Sequence, residues 1–336
     1  MKSAAVPSLS IVLPTHDRPD ALEAVLWALS EQSDRRFEVV VAADGSDVEA
    51  AAAVEGWRGR GVGESLRYVD QEREGFRLAR IRNLGALAAQ EEYLVFLDAD
   101  CIPRRHFVAA LRRSAVPGWF VGLRRVRLSE RFTERVLARG LAVHRWPTPR
   151  LLLHAGWRRP KGWHGVEGWR GLVSRNRQRP WRPDLPDFVP HYGGWGFGLG
   201  LSRADLGRVN GWDGRFTGWG AEDEDLALRL RRLGLRSSWP GTRSTVLHLW
   251  HPSRRGHTER NRLLVRETEA SGRLEAVEGL RELAAELQRG SSSSVGFGGS
   301  ALGSVAGAPR ARGPGHLDSQ RFGDDQGGDA EDDREP

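Results

Sequence analysis

The chain has very little cysteine, because Cys101 is the only one in 336 residues. A single cysteine excludes a disulfide framework and fits a reducing compartment. Long hydrophobic runs are also missing, since no stretch approaches the roughly 20 apolar residues that span a bilayer. The start, MKSAAVPSLSIVLP, has no long apolar core or cleavage-like site, so we expect no signal peptide. These absences favour a soluble cytoplasmic protein, with peripheral association at the inner face of the membrane as an open alternative.

Positive charge is in excess and unevenly distributed. The formal net charge is +7, but the last 21 residues contain eight acids and two arginines, which leaves +13 for residues 1–315. A strongly basic body suggests an anionic partner, such as nucleic acid, an anionic membrane or a phosphorylated substrate. A genomic bias towards Arg, Ala and Gly explains the same composition equally well.

Short apolar runs alternate with helical patterns through the first 100 residues. Strand-like runs cover 8–13, 37–42, 65–70 and 93–100, and helical periodicity covers 20–31, 47–57 and 77–90. Such alternation predicts an α/β fold with a mostly parallel sheet flanked by helices. Ligands of these sheets bind beyond the carboxyl ends of the strands. Polar clusters occupy those ends in this sequence, at Thr15–Arg18, Asp44–Asp47 and Asp98–Asp100.

Composition changes in the middle of the chain. Residues 119–195 hold seven of the 13 tryptophans among many arginines and are expected to include a long functional loop. Periodic patterns predict helices at 130–143, 222–233 and 259–288, the last with a break near Gly272, and a strand at 244–250. From about residue 289 the composition is of low complexity and acidic, which predicts a disordered tail.

Two carboxylates stand at the end of the fourth predicted strand, in LVFLDADCIP. Period-two alternation puts Asp98 and Asp100 on one side, where they can share a ligand. Two carboxylates beside a diphosphate would repel it unless a divalent cation lay between them, and oxygen ligands suit Mg²⁺ or Mn²⁺. An Asp-x-Asp pair is weak on its own, because solvated loops often contain one.

Six segments in order along the chain resemble the family 2 glycosyltransferases of the GT-A fold. They are IVLPTHDRP, VVVAADGSD, EGFRLARIRNLGALAA, LVFLDADCIP, GWDGRFTGWGAEDEDLALRLRRLG and VLHLWHP, and the likeness covers about residues 8–125 and 192–252. The pairs GFRLARIRNLG with FLDADCIP and GWGAEDEDLALRL with HLWHP are most similar to bacterial chondroitin- and hyaluronan-type polymerase domains. The second half also resembles the C-terminal part of β-1,4-galactosyltransferases.

The resemblance implies donor-binding roles for residues of the first half. Pro14, Thr15 and Arg18 would contact the base and ribose, and Asp44 would contact uracil. Arg82 and Asn83 would face the diphosphate and the sugar. Asp98, the first acid of the DxD motif, would lie near the ribose. Trp219 is expected to contact donor or acceptor, because indole faces stack on sugar rings.

The resemblance also implies a metal site and a catalytic base. Asp100 matches the metal-binding acid of the DxD motif, Asp98 is a further candidate ligand, and His248 matches the late histidine that completes the site. We prefer His248 to His251, since strand alternation would send two histidines three residues apart to opposite faces. Asp223 matches the general base.

Four consecutive acids, residues 222–225, begin the predicted helix. Repulsion between neighbours should raise the pKa values of Glu222 and Asp223, which makes one of them a better base. Glu222 would then bind sugar or acceptor hydroxyls, and Glu224 and Asp225 would cap the positive end of the helix. Ala221 stands where the family usually has glycine, which restricts the backbone there.

The resemblance therefore implies a metal-dependent inverting glycosyltransferase that moves a sugar from a nucleotide sugar, with UDP as the expected nucleotide. The acceptor would be a hydroxyl of a glycan, a lipid-linked sugar or a small glycoside, and the cofactor Mn²⁺ or Mg²⁺. The expected organisation is a donor-binding half (1–125), an acceptor insertion (126–190), a catalytic half (191–288) and the tail (289–336).

Two other functions stay open. A non-catalytic binder of nucleic acid or glycan could use the basic, Trp-rich middle, although we expect no nucleic acid because the acids would repel phosphate. A sugar nucleotidyltransferase would need a Gly-rich loop after the first strand, which PTHDRPD lacks.

Overall fold

A computed structural model of the chain describes residues 8–45, 47–154, 166–167, 198–252 and 259–293. Residues up to Ser291 belong to one compact unit, and Ser292–Pro336 to a second one. The predicted tail beyond residue 293, and most of the Trp/Arg-rich segment with Trp195, lie outside the described residues. Among the helices that are described, none combines the length and apolar character that crossing a bilayer requires.

The first half alternates strands and helices as expected. The strands are β1 (Leu9–Thr15), β2 (Phe37–Asp44), β3 (Ser65–Gln71) and β4 (Tyr93–Leu97), and the helices are α1 (Pro19–Ser30), α2 (Val48–Trp57) and α3 (Leu78–Ala88). Proline fits the first turn of α1, where its missing N–H has no partner to lose. Asp47 caps α2, because its side chain accepts hydrogen bonds from the first-turn backbone amides.

The second half contains shorter elements. In chain order they are β5 (Cys101–Pro103), α4 (Phe107–Ser114), β6 (Trp119–Gly122), β7 (Arg125–Leu128), α5 (Glu130–Ala138), α6 (Thr148–His154), β8 (Val166–Glu167), β9 (Gly198–Ser202), α7 (Arg203–Arg208), α8 (Glu222–Arg232), β10 (Arg236–Ser238), β11 (Val246–His248), α9 (Glu259–Ser271) and α10 (Leu280–Ser293). Short 3₁₀ helices cover Val143–Arg145 and Thr242–Ser244.

Several boundaries differ from the sequence-based expectations. The strand at 93–100 ends at Leu97, because the chain turns and the Asp98 carbonyl accepts a hydrogen bond from Cys101 N at 3.0 Å. The helix expected over 130–143 stops at residue 138, and the strand over 244–250 is only three residues long. The break near Gly272 is confirmed, since this glycine has a φ of +66° directly after α9. The last helix continues to Ser293, past the expected start of the tail.

Seven strands form the main sheet, in the order β10-β6-β9-β4-β1-β2-β3. β1 pairs in parallel with β2 and β4, and β2 with β3, whereas β9 runs antiparallel to β4 and β6. The carboxyl ends of β1 to β4 therefore lie at one edge, where the polar clusters follow the strands. The sheet is apolar on both faces: Ile11 packs in the core cluster containing α1, and Val12 in the cluster containing α3.

A second, four-stranded sheet has the order β5-β11-β7-β8. β5 begins directly after the turn that ends β4, and it pairs antiparallel with β11, so that Cys101 lies opposite His248. The turn at residues 98–101 therefore leads the chain from the main sheet into the second sheet. This connection brings the DxD motif beside the late histidine, although about 150 residues separate them in the chain.

Candidate active site

One buried guanidinium brings together three acids from two distant parts of the chain. Arg82, on α3 and only 2% exposed, donates from Nη1 to Asp223 Oδ1 at 3.0 Å and to Glu222 Oε1 at 3.3 Å. Its Nη2 donates to Asp98 Oδ1 at 3.3 Å. Asp98 follows β4, whereas the other two acids begin α8. The structure thus joins the first acid of the DxD motif to the acid-led helix through a single side chain.

Trp212 is a further member of this site that sequence reasoning missed. Its indole Nε1 donates to Asp223 Oδ1 at 3.1 Å, and the Arg82 guanidinium lies 5.5 Å from its ring centroid. The buried side chain of Asn83 holds Trp212 in place by accepting from its backbone N at 2.9 Å and donating to its carbonyl at 2.7 Å. Asn83, expected on the donor side, is therefore occupied with positioning Trp212. The sequence gives one sign of this role, because the pair Gly211–Trp212 precedes the four acids of α8.

Burial dominates the electrostatics of the three acids. It raises the pKa of Glu222 to about 8, with a further rise from Asp223 and an opposing effect of Arg82. Burial likewise raises the pKa of Asp98 to about 7, against the attraction of Arg82. Although burial disfavours the Arg82 charge, Asp223, Asp98 and Glu222 hold the pKa of Arg82 above its ordinary value. For Glu222 we had expected repulsion to be the main cause, and desolvation outweighs it.

A pH dependence of stability follows from Glu222. Its pKa rises from 4.5 to about 8 on folding, so the folded state keeps a proton that the unfolded state releases. The free energy of unfolding therefore falls as the pH rises through this window, by at most about 1.4 kcal/mol per pH unit for one group. We expect Glu222→Gln to flatten the fall in melting temperature between about pH 5 and about pH 8. Calorimetry in EDTA measures this slope, and equal slopes for both proteins would contradict the assignment.

Asp100 forms a second cluster with two histidines. Its Oδ2 lies 3.6 Å from His248 Nε2 and 3.4 Å from His251 Nε2, and one ligand atom from each residue lies within 4.8 Å of the others. The expectation that the histidines face opposite sides is wrong, because β11 ends at His248 and strand alternation does not extend to His251. Asp98, a candidate ligand in the sequence, pairs with Arg82 and is not part of this cluster.

The chemistry of this cluster suits a divalent cation. Two imidazoles and one carboxylate are ligands that Mn²⁺ accepts. Burial lowers the pKa of His248 to about 4, so its imidazole is neutral near neutral pH and has a lone pair to offer a metal. The backbone of Asp100 is fixed next to β11, since its carbonyl accepts a hydrogen bond from Leu249 N at 2.9 Å. The residues present therefore fit Mn²⁺ better than Mg²⁺, because two of the three groups are imidazoles and Mg²⁺ takes oxygen ligands.

The residues assigned to the nucleotide lie at the ends of β1 and β2. The Thr15 hydroxyl is buried and has no hydrogen-bond partner in the described part of the chain, a deficit that a bound ligand could satisfy. The Pro14 carbonyl accepts from Ala99 N at 3.2 Å, which ties β1 to the DxD turn. Arg18 precedes α1 and pairs with Asp20 at 3.0 Å.

Asp44 is more deeply engaged with the protein than we expected. One carboxylate oxygen accepts from Gln71 Nε2 at 2.6 Å and the other from the backbone N of Arg77 at 2.7 Å. Its own carbonyl lies 2.7 Å from His16 Nδ1. The side chain of Asp44 therefore fixes the loop before α3, and α3 carries Arg82. Any contact with a base would use the second lone pair of an oxygen that already has a partner.

The loop before α8 is anchored and presents Trp219 to solvent. Gly218 N donates to the Phe76 carbonyl at 2.8 Å, and Asn261 Nδ2 donates to the carbonyls of Thr217 and Gly220 at 3.2 and 2.8 Å. Trp219 itself is 43% exposed. A rigid loop with an exposed indole next to Glu222 and Asp223 can present a flat apolar surface to a ligand.

The four acids of α8 have different tasks. Glu222 and Asp223 face Arg82, whereas Asp225 is fully buried, pairs with Arg229 at 2.7 Å and accepts from Thr268 Oγ1 at 2.7 Å. The expectation that Asp225 caps the helix is therefore wrong, because its side chain points to the body of the protein and bonds one turn onwards. Through Thr268, the buried carboxylate of Asp225 connects α8 to α9.

Ala221, the residue directly before α8, has a left-handed conformation with a φ of +74°. A Cβ in this region costs about 1–2 kcal/mol, which glycine avoids. We expect Ala221→Gly to raise the free energy of unfolding by about 1 kcal/mol, since the loss of a buried methyl group offsets part of the gain. Urea unfolding measures the change. Ala227→Gly, inside the helix, is the matched control and should destabilise; a similar loss for both variants would contradict the prediction.

The chain matches two known protein families. Residues 10–173 match the family described as Glycosyl transferase family 2, and residues 184–252 match the family described as N-terminal domain of galactosyltransferase. The chain is 30% identical over 263 residues to validoxylamine A glucosyltransferase of Streptomyces hygroscopicus subsp. jinggangensis, an alignment covering 70% of this chain and 55% of that protein. It is 25% identical over 248 residues to Escherichia coli chondroitin synthase, covering 69% and 33%.

A shorter match is to human β-1,4-galactosyltransferase 2, at 34% identity over 73 residues, or 22% of this chain and 20% of that protein. The chain thus spans about half the length, or less, of these relatives. The structure resembles TarS of S. aureus, with a TM-score of 0.52, 15% identity and coverage of 86% of this chain and 44% of that one.

It also resembles GalNAc-T7, solved with UDP, GalNAc and Mn²⁺, with a TM-score of 0.53, 15% identity and coverage of 79% and 48%. At these identities the structural likeness shows the fold, and it agrees with the mostly parallel sheet and flanking helices described above. Taken together, the family matches, the relatives and the sheet topology show that this chain carries a glycosyltransferase family 2 domain with the GT-A fold.

Proposed function

We propose that the protein is a metal-dependent, inverting glycosyltransferase that moves a sugar from a nucleotide sugar to a hydroxyl group of its acceptor. The observation that supports this most is the contact of Arg82 with both Asp223 and Asp98. This contact brings a candidate base close to the first acid of the DxD motif, and a transfer between two bound substrates requires such proximity. Asp100, two residues after Asp98, belongs to the adjoining cluster that suits a cation.

In this proposal Asp100, His248 and His251 hold Mn²⁺ or Mg²⁺. When bound, the metal would neutralise charge that develops on the departing diphosphate. Thr15, with its unsatisfied hydroxyl, would contact the nucleotide at the carboxyl edge of β1, beside Pro14 and Arg18. We propose UDP as the nucleotide, supported by the UDP in the GalNAc-T7 structure.

Asp223 is the proposed general base. Its Oδ1 is oriented by Arg82 and by the Trp212 indole, and the side chain keeps 12% of its surface exposed. A carboxylate that is fixed on one side and open on the other can take the proton of an acceptor hydroxyl as that hydroxyl attacks the anomeric carbon. Glu222, more buried and with a raised pKa, would bind a hydroxyl of the sugar or acceptor.

The acceptor class is proposed from the aromatic residues near the site. Trp219 and Trp250 are both exposed; Trp219 lies three residues before Glu222 in the chain, and Trp250 directly precedes His251. Exposed indoles beside a catalytic acid suit the apolar faces of cyclic polyols and sugars. The name of the Streptomyces relative, validoxylamine A glucosyltransferase, supports a compound of that kind as an acceptor. We assign the segment 126–190 to acceptor recognition as part of the same proposal.

The test is a thermal-shift screen of nucleotide sugars with and without Mn²⁺. A true donor stabilises the folded state by mass action, by about 2.7 kcal/mol at 100 times its dissociation constant. We expect at least one UDP-sugar to raise the melting temperature only when Mn²⁺ is present, and Asp100→Asn to abolish that increase. If no nucleotide sugar stabilises the wild-type protein in the presence of Mn²⁺, the proposal fails.

A further inference from the structure

Four arginines crowd around one histidine at the amino end of α4. Arg105, Arg113, Arg243 and His106 are exposed and Arg104 is half-buried; we call these five residues the basic surface. All four arginines lie near enough to His106 to act electrostatically on its protonated form. Helical geometry explains part of the grouping, since residues seven apart, such as 106 and 113, share one face of a helix.

No carboxylate balances this charge within the described residues. Arg104 donates to Thr148 Oγ1 at 3.2 Å, and none of the four arginines has an ion pair with an acid in the part of the chain that the structure describes. Nearby acids are already used: Asp34 pairs with Arg112 at 2.7 Å, and Glu31 pairs with Arg145. A concentrated, unbalanced positive charge favours an anionic partner.

The basic surface lies at the edge of the main sheet opposite the candidate active site. α1 begins just after the carboxyl end of β1 and runs back along the sheet, so its last residues reach the amino edge, where β2 starts at Phe37. Ser33, shortly after α1, donates its backbone N to the Arg105 carbonyl at 2.9 Å, and its Oγ lies 2.9 Å from His106 Nδ1. The five residues thus lie at the opposite end of β5 from Asp100, which makes a donor diphosphate bound near Asp100 the less suitable anion for this surface.

We infer that the basic surface docks the protein on an anionic phospholipid membrane. Arginine contributes to such binding through the negative potential of the headgroups. Single-stranded nucleic acid is the less suitable partner, because its binding surfaces combine basic groups with aromatic rings for base stacking, and the only ring among the five residues is an imidazole. Val116, which follows α4 closely and is 44% exposed, adds an apolar side chain beside Arg113 in the chain.

Vesicle sedimentation of the full-length protein tests this inference. The probes are vesicles of phosphatidylcholine alone and with about 30% phosphatidylglycerol, at salt concentrations from about 50 to about 300 mM. We expect binding to the anionic vesicles only, weakening with salt. The variant Arg105→Gln/Arg113→Gln/Arg243→Gln should bind on the order of 100-fold more weakly, since each arginine near the surface contributes about 1 kcal/mol.

The matched control is Arg131→Gln/Arg135→Gln/Arg139→Gln, which removes the same charge from exposed positions on and next to α5. It should keep most of the vesicle binding, and unchanged melting temperatures should show that both variants are folded. Equal loss in both variants would overturn the inference, because net charge and not this surface would then be responsible. Absence of wild-type binding to anionic vesicles at low salt, or preference for an oligonucleotide over vesicles, would also overturn it.

Discussion

Asp223→Asn is expected to lower turnover by a factor of about 10² to 10⁴, the range that a positioned general base contributes. Asparagine keeps the shape of the side chain, and its amide oxygen can still accept from Arg82 Nη1 and from Trp212 Nε1. What it cannot do is take the proton of an acceptor hydroxyl. The variant should therefore fold and bind nucleotide normally while the chemical step is lost. Steady-state assays with the donor found by the thermal-shift screen measure the effect.

Two measurements make this prediction specific. The Mn²⁺-dependent increase in melting temperature with the donor should be unchanged, because Asp223 is not part of the Asp100–His248–His251 cluster. Glu224→Gln, at the next position and exposed, removes the same charge from the same helical turn and should change turnover by less than about twofold. A loss of donor binding in Asp223→Asn, or equal losses of turnover in the two variants, would rule out the proposed role.

Arg82→Gln is expected to lower the free energy of unfolding by about 3–5 kcal/mol, the usual effect of leaving a buried charge without its partner. Three acids, Asp98, Glu222 and Asp223, face this one guanidinium. Removing it leaves them close together and without a cation in contact. Chemical unfolding by urea, followed by circular dichroism, gives the magnitude. A smaller decrease at lower pH is also expected, because protonation relieves the repulsion.

A second substitution identifies the cause of the instability. Measured above about pH 8, where Glu222 is ionised in the wild-type protein, Glu222→Gln in the Arg82→Gln background removes one of the uncompensated acids and should recover part of the lost stability, a coupling that a double-mutant cycle measures. Arg112→Gln is the comparison for another buried arginine, which serves mainly the single carboxylate of Asp34. It should destabilise the protein less. If the second substitution recovers nothing, the destabilisation of Arg82→Gln has a source other than these acids.

Much of the fold could be predicted from local patterns. The first three strands and helices were placed to within one or two residues, because a parallel sheet buried on both faces needs continuous apolar strands and these are easily recognised. The short elements of the second half were harder. β11 has three residues and is stabilised by its neighbours in the second sheet, so its own sequence carries little sign of where it ends.

The same distinction holds for the candidate site. The acids of the DxD motif and of α8 could be recognised in the sequence from their residue types and spacing. In the structure, Asp223 and Asp98 both contact Arg82. Asn83 was placed on the donor side, whereas its amide is bonded to the backbone of Trp212. A sequence motif indicates which residue types occur together, but a hydrogen-bond partner 129 residues away is visible only in three dimensions.

By itself the sequence determined the α/β character, Asp100 and His248 as candidate cation ligands and the presence of a crowded acidic turn, because periodicity and residue chemistry are local properties. Only the tertiary structure decided how the four acids divide their tasks, that His251 joins His248 beside Asp100, and that burial more than repulsion raises the pKa of Glu222. These outcomes depend on which distant groups approach one another and how much water they exclude. Solvent exclusion and long-range contact are properties of the packed chain, and no short segment contains them.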